Sequence, residues 1–282
     1  MNSYEKIMSQ KGMTEFKELV TKWQSLSENI EAEASSLPIF LPDIFLVSRS
    51  GTGRTHLLKL MTEYLTDVGN LMNFYGDVRY FEFMLNYCAP NQEFTEIRRL
   101  MAEVNNAAGF RSEYKGIVFI DIDEWHNHYT EKNFLSFLEY LSDNSDDWLI
   151  VFSISDKYKK EIDNLEAVIS AYLRAEKVVI EAPTTEELLS FMKEKLALYG
   201  FTLKSDAEEM LKASVELLRK NEYFDGYKTV KMIAQDIVYA VYSSAKRPEK
   251  ALGAEMLSDF TVDGEYIKKT VLKIEKAKHI GF

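Results

Sequence analysis

One cysteine, Cys88, is too few for an internal disulfide framework or a cysteine-based zinc centre, and it reads as a core or loop thiol. No apolar run approaches the roughly 18 residues that a membrane-crossing helix needs. Met1 to Gln10 holds no apolar signal-peptide core. The expectation is a cytoplasmic protein with no membrane partner. Basic charge is also short, with 34 Lys and Arg against 45 Asp and Glu and a net charge of -11. A broad nucleic-acid surface needs clustered Lys and Arg, so nucleic acid is disfavoured as a partner. The densest basic run, Lys157-Tyr158-Lys159-Lys160, reads as a solvated helix face. His126 and His128 lack a third ligand at the spacing a zinc site requires. There is no internal repeat and no low-complexity segment.

What is present is enough for a substantial core, since 46% of the residues are apolar and they are spread along the whole length. Phe16, Leu19, Val20 and Trp23 recur at helical spacing, predicting an amphipathic helix within residues 13–30. Pro38 and Pro42 interrupt the pattern before the apolar run Ile44-Phe45-Leu46-Val47, which is short enough for a buried strand. Thr55 to Leu65 then reads as a helix. Further strand candidates are Val78 to Leu85, Gly116 to Ile122, Trp148 to Ser155 and Lys177 to Glu181, with helices at Phe94 to Asn105 and Asn133 to Leu141 between them. This alternation predicts an α/β fold: a five-stranded parallel sheet with helices on both faces.

The pattern changes after Pro183. Thr184-Thr185-Glu186-Glu187 has the form of a capping box, followed by an apolar face of Leu188, Met192, Leu196 and Tyr199. Ser205 to Glu208 has the form of a second box, and further helices fit Tyr227 to Ser243 and Asp263 to Ala277. The expected division is an α/β nucleotide-binding domain over 1–183 and an all-helical domain over 184–282.

The segment Ser48-Arg49-Ser50-Gly51-Thr52-Gly53-Arg54-Thr55 lies between the first predicted strand and its helix. A phosphate-binding loop works there because a glycine turn and a helix N-terminus aim backbone N–H groups at phosphate, while Lys and Ser or Thr hold the outer phosphates and magnesium. Gly51 and Gly53 supply the turn, Arg54 stands where Lys belongs, Thr55 is the candidate magnesium ligand, and Ser48 replaces the first glycine. About 70 residues later Gly116-Ile117-Val118-Phe119-Ile120-Asp121-Ile122-Asp123-Glu124 forms an acidic strand end. Asp121 is the natural metal-side acid. Ile122 occupies the usual place of a catalytic glutamate, which leaves Asp123 or Glu124 to substitute.

In this order the elements resemble the AAA+ ATPases over nearly the whole chain, most closely the rubisco-activase-like and sporulation-type branch. The likeness makes Ser48 to Thr55 the Walker A position and Gly116 to Glu124 the Walker B position, and implies ATP and Mg2+ as cofactors. Lys11-Gly12-Met13-Thr14-Glu15-Phe16-Lys17 is similar to that family's N-terminal element near the adenine pocket. It further implies a sensor-1 role at the end of Ser153-Ile154-Ser155-Asp156, here Ser155. An arginine finger is implied at Arg174, and a sensor-2 role at Lys231 within Asp225 to Lys231 on a lid domain. Ile280-Gly281-Phe282 is similar to the endings of such lids.

Gly51-Thr52-Gly53-Arg54-Thr55-His56-Leu57 also resembles the loop of helicase loaders and initiators, adding Thr52 and His56 to the nucleotide-contacting set. Ser for Gly, Arg for Lys, Ile for Glu and Lys for Arg depart from the family pattern. They place turnover in question more than binding. The expected function is a nucleotide-regulated switch or slow ATPase acting on a protein partner or as a homo-oligomer. The alternatives are a non-hydrolysing structural partner and a replication factor.

Overall fold

Side-chain alternation in the central strands decides how this molecule is layered. In a computed structural model describing residues 2–33, 40–49, 51–71, 79–90, 116–144, 148–221, 224–243 and 249–257, β1 (Asp43–Ser48), β2 (Arg79–Met84), β3 (Gly116–Asp121), β4 (Trp148–Ile154) and β5 (Ala175–Ile180) form one sheet. All pairings are parallel, in the order β2-β3-β4-β1-β5. Ile44 and Leu46 of β1, Ile117 and Phe119 of β3, and Leu149 and Val151 of β4 enter one core. It is completed by α1 (Ser3–Met8), α2 (Thr14–Ala32) and α3 (Arg54–Val68). The intervening residues Phe45, Val118, Ile120, Ile150 and Phe152 enter a second core with α4 (Lys132–Asn144) and α5 (Ile162–Ser170). Because successive strand side chains face opposite ways, helices on both faces demand the near-continuous apolar runs of β1, β3 and β4. Each fully buried Leu, Ile or Phe contributes roughly 1.5–3 kcal/mol.

The edge strand β5 is covered rather than left open, as the Val179 N–H donates to Glu15 of α2 at 2.6 Å. By their contacts, residues Met1–Arg49 and Arg54–Glu181 form one unit, and Ser50–Gly53 with Ala182–Phe282 form another. The second unit is built on α6 (Thr185–Ala197), α7 (Ser205–Leu218) and α8 (Gly226–Ser243), whose Leu188, Met192, Leu211, Val230 and Ile237 share a core.

Thr184 caps α6, its hydroxyl accepting the Glu187 N–H while the Glu187 carboxylate accepts the Thr184 N–H. The predicted second box is corrected. Lys204, not Ser205, caps α7 and does so without a side-chain bond, since an ammonium has no acceptor to offer; Asp206 in the first turn accepts the Ala254 N–H at 3.0 Å. That bond ties α7 to the short α9 (Ala254–Leu257). The helical unit also contains a two-residue parallel pairing of β6 (Thr202–Leu203) with β7 (Ala251–Leu252), which no apolar periodicity announces. The helices expected at 94–105 and 263–277, and the terminal 280–282, lie outside the described residues. No helix among the described residues is long and apolar enough to cross a membrane.

Candidate functional site

The chain leaves the buried end of β1 through Gly51 and Gly53, both left-handed at φ 78 and φ 88. Glycine takes that conformation without the steric cost other residues meet. At Gly51 there is a second reason: a Cβ would lie 2.1 Å from the Asp225 carbonyl oxygen, and the Gly51 carbonyl accepts the Tyr227 N–H at 2.9 Å. Just before the turn, the Ser48 hydroxyl is fully buried and has no hydrogen-bond partner among the described residues. Such a group normally costs about 1–3 kcal/mol. Thr52 is buried, whereas Thr55 and His56 on the first turn of α3 are exposed.

Arg54 opens α3 and points across the C-terminal ends of β3 and β4. Asp121 and Ser153 are direct neighbours in the parallel register of these strands. The Arg54 guanidinium reaches both, donating from Nη1 to Ser153 Oγ at 2.5 Å and from Nη2 to Asp121 Oδ2 at 3.4 Å. It also lies over the Phe119 ring, with Cζ 5.2 Å from the centroid. The other carboxylate oxygen of Asp121 accepts the Asp123 N–H at 3.0 Å. Both side chains are largely covered, at 24% exposed for Arg54 and 18% for Asp121.

The remaining acids are held by backbone. Asp123 accepts the Ser155 N–H at 2.6 Å and faces Lys157 at 3.8 Å. Burial raises the Asp123 carboxyl above the usual range; the Ser155 N–H opposes this, Asp121 adds to it, and Lys157 and Arg54 oppose it. Glu124 turns away to accept the Tyr87 N–H at 2.7 Å. Ile122 is buried. The structure therefore sets Ser153, rather than Ser155, beside Arg54 and Asp121. Ser155 is beyond β4, where its hydroxyl caps a short 3-10 turn at Asp156–Tyr158. The basic run lies on and after this turn rather than on a helix face, and Lys157 uses its charge on Asp123. Arg49 pairs with Asp156 at 3.2 Å.

Arg174 is not brought to this cluster. Asp43 is in register with Ala175 and Ser48 with Ile180, so Arg174 precedes β5 at the sheet edge opposite the glycine turn, where its carbonyl accepts the Asp43 N–H. Lys231 is an exposed residue of α8. His126 and His128 make local contacts, with the Asp123 carbonyl and with Glu131, and no cluster of metal-ligating side chains occurs among the described residues. As arranged, Asp121 does not fit Mg2+, since both of its oxygens are engaged and one of them by a cation; the Thr55 side chain is exposed.

Sequence reasoning missed two residues. Ser153 was within reach, because a polar residue in register with Asp121 follows from aligning two parallel strands. Asp43 carried no such signal. Its carboxylate accepts the Ile150 N–H at 2.8 Å, and burial pushes it up to about 7, with that N–H pulling the other way.

No family model matches the sequence, and no curated protein matches it. Solved structures do resemble the fold. The Thermotoga maritima RuvB Holliday junction branch migration motor is similar with a TM-score of 0.50 and 14% identity, over 96% of this chain and 81% of that one. A point mutant of the same RuvB gives a TM-score of 0.52 and 14% identity, over 96% and 80%. PCH-2 of C. elegans gives 0.53 and 14%, over 90% of this chain and 69% of its own. At these identities the likeness is one of fold: a parallel α/β sheet followed by a helical part, as the resemblance to AAA+ proteins predicts.

Proposed function

We propose that this chain is a nucleotide-binding protein of the AAA+ type, acting as a nucleotide-regulated switch or slow ATPase on a protein partner or as a homo-oligomer. The observation that carries the reading is the left-handed pair Gly51 and Gly53, set between a buried strand and a helix that opens on Arg54 beside Asp121. The orphaned hydroxyl of Ser48 supports it, since a bound phosphate would supply the missing partner. ATP is the expected ligand. Slow turnover is supported by Ile122 in the core and by the backbone ties that orient Asp123 toward the Ser155 N–H and Glu124 toward the Tyr87 N–H. An arginine finger at Arg174 requires a second copy of the chain. The acidic net charge does not weigh against nucleic acid in this reading, because it describes the whole chain and not one surface, and RuvB is a Holliday junction branch migration motor.

The test is thermal unfolding with ATP or ADP. A ligand at 100 times its Kd adds about 2.7 kcal/mol, which for a chain of this size raises Tm by roughly 5 °C. Gly51→Ala should abolish the shift, because the turn admits no Cβ. An unchanged Tm with both nucleotides in the native chain would sink the reading. Turnover is expected below about 1 per second.

A further inference from the structure

The Asp121 carboxylate is already partnered on both oxygens, and one partner is a full positive charge from its own chain. A divalent ion arriving there would have to expel the guanidinium or sit against a like charge in a largely covered place. The guanidinium, by contrast, still has donors to give. Of its five N–H groups, the structure assigns one to Ser153 and one to Asp121. The rest are suited to the paired oxygens of a phosphate, which a planar fork binds better than a point charge does. Phe119 under the guanidinium fixes its plane, and Ser153 fixes its rotation.

We propose that Arg54 stands in for the divalent cation, bridging Asp121 to the outer phosphates, so that this chain binds nucleotide without magnesium. The proposal rests on the nucleotide-binding reading above. It makes the chain a switch read by occupancy rather than a metal-dependent hydrolase. It also accounts for two of the sequence departures at once: Ile122, buried, replaces the acid beside Asp121, and Arg54 occupies Asp121 itself, so neither acid of the usual metal-dependent arrangement is left to serve an ion.

The experiment is isothermal titration of the full-length chain with ATP and with ADP, once in excess Mg2+ and once in excess EDTA. Binding within about threefold in the two buffers is the expected result, a difference of less than about 0.7 kcal/mol. A loss of about tenfold or more in EDTA overturns the proposal while leaving nucleotide binding standing. Absence of binding in both buffers overturns the underlying reading and the proposal with it. Arg54→Lys keeps the charge but not the fork, and should bind at least about tenfold more weakly in EDTA than in Mg2+. Arg54→Ala should lose binding in EDTA further. If both variants bind in EDTA as the native chain does, Arg54 is not the substitute cation and the proposal falls.

Discussion

Asp43 and Asp121 stand at opposite ends of their strands in the same parallel sheet, roughly 10 Å apart along the strand direction. Both accept a backbone N–H, from Ile150 and from Asp123 respectively. The difference between them is a cation. Asp121 has Arg54 at 3.4 Å, and Asp43 is pushed up to about 7 by burial with only one N–H against it. Burial alone disfavours the charged form of a carboxyl, and a protein can answer with an opposite charge or with a proton. This sheet answers with a charge at the end where the glycine turn lies, and with a raised proton affinity at the end where it does not. A paired carboxylate and guanidinium retain separable charges that a ligand can reorganise. Asp43, held by burial and a single backbone N–H, has no such pair to reorganise, so the glycine-turn end is the functional candidate.

The largest effect should come from removing the cation. Arg54→Ala leaves Asp121 covered without its opposite charge and Ser153 without its donor, costing about 2–3 kcal/mol in the absence of ligand. Partial exposure keeps this below the cost of breaking a fully buried pair. Urea denaturation of the single variants and of Arg54→Ala with Asp121→Asn measures the coupling. The double variant should recover about half the loss. Strict additivity would mean that the pair contributes nothing.

The opposite edge should respond in the opposite direction. Because the folded value for Asp43, about 7, exceeds the ordinary carboxylate value near 4, the folded state binds the extra proton between those limits. Stability from this group is therefore full below about pH 4, declines as pH rises toward 7, and is flat above. Asp43→Asn keeps an oxygen for the Ile150 N–H and removes the titration. For a half-buried side chain the gain at pH 8 should be roughly 1–2 kcal/mol, vanishing at pH 4. Denaturation midpoints at the two pH values check this. An equal change at both, or a loss at pH 8, would show that the carboxylate is ionised and useful where it stands.

The two edges also differ in how legible they are. At the glycine turn the needed chemistry is local: Gly51, Gly53 and Arg54 are consecutive or nearly so, and strand, turn and helix each carry a short-range pattern. The same holds for the Thr184 cap, whose partner Glu187 is three residues away. What escaped depends on register. Ser153 meets Asp121 only when β3 and β4 are aligned, and the sequence offers Ser153 and Ser155 as equals until β4 is seen to end at Ile154. Asp43 meets Ile150 across 107 positions, a pairing no local window contains. Ser205 misled for a related reason. Its capping pattern is sound, but the helix starts one residue earlier, and Asp206 in that first turn meets Ala254, 48 residues on, in a contact no local window contains.

Glu124 gives the smallest and sharpest test, because it is a third way of keeping a carboxylate. It is exposed and keeps its position through the Tyr87 N–H alone, at 2.7 Å. If that bond is its purpose, Glu124→Gln preserves an acceptor, and stability should change by less than about 0.5 kcal/mol, as for most surface substitutions. Glu124→Ala should cost somewhat more, roughly 0.5–1.5 kcal/mol, because the Tyr87 N–H then depends on water. The discriminating measurement is turnover. A base that polarises water contributes about 100-fold or more to rate, so a catalytic Glu124 would make Glu124→Gln nearly inactive at unchanged stability. The tie to Tyr87 predicts the reverse, with both variants retaining whatever slow rate the native chain has. Loss of that rate in Glu124→Gln would move this residue from the structural side of the comparison to the catalytic side, with Oε1 polarising the attacking water while Oε2 keeps the Tyr87 N–H.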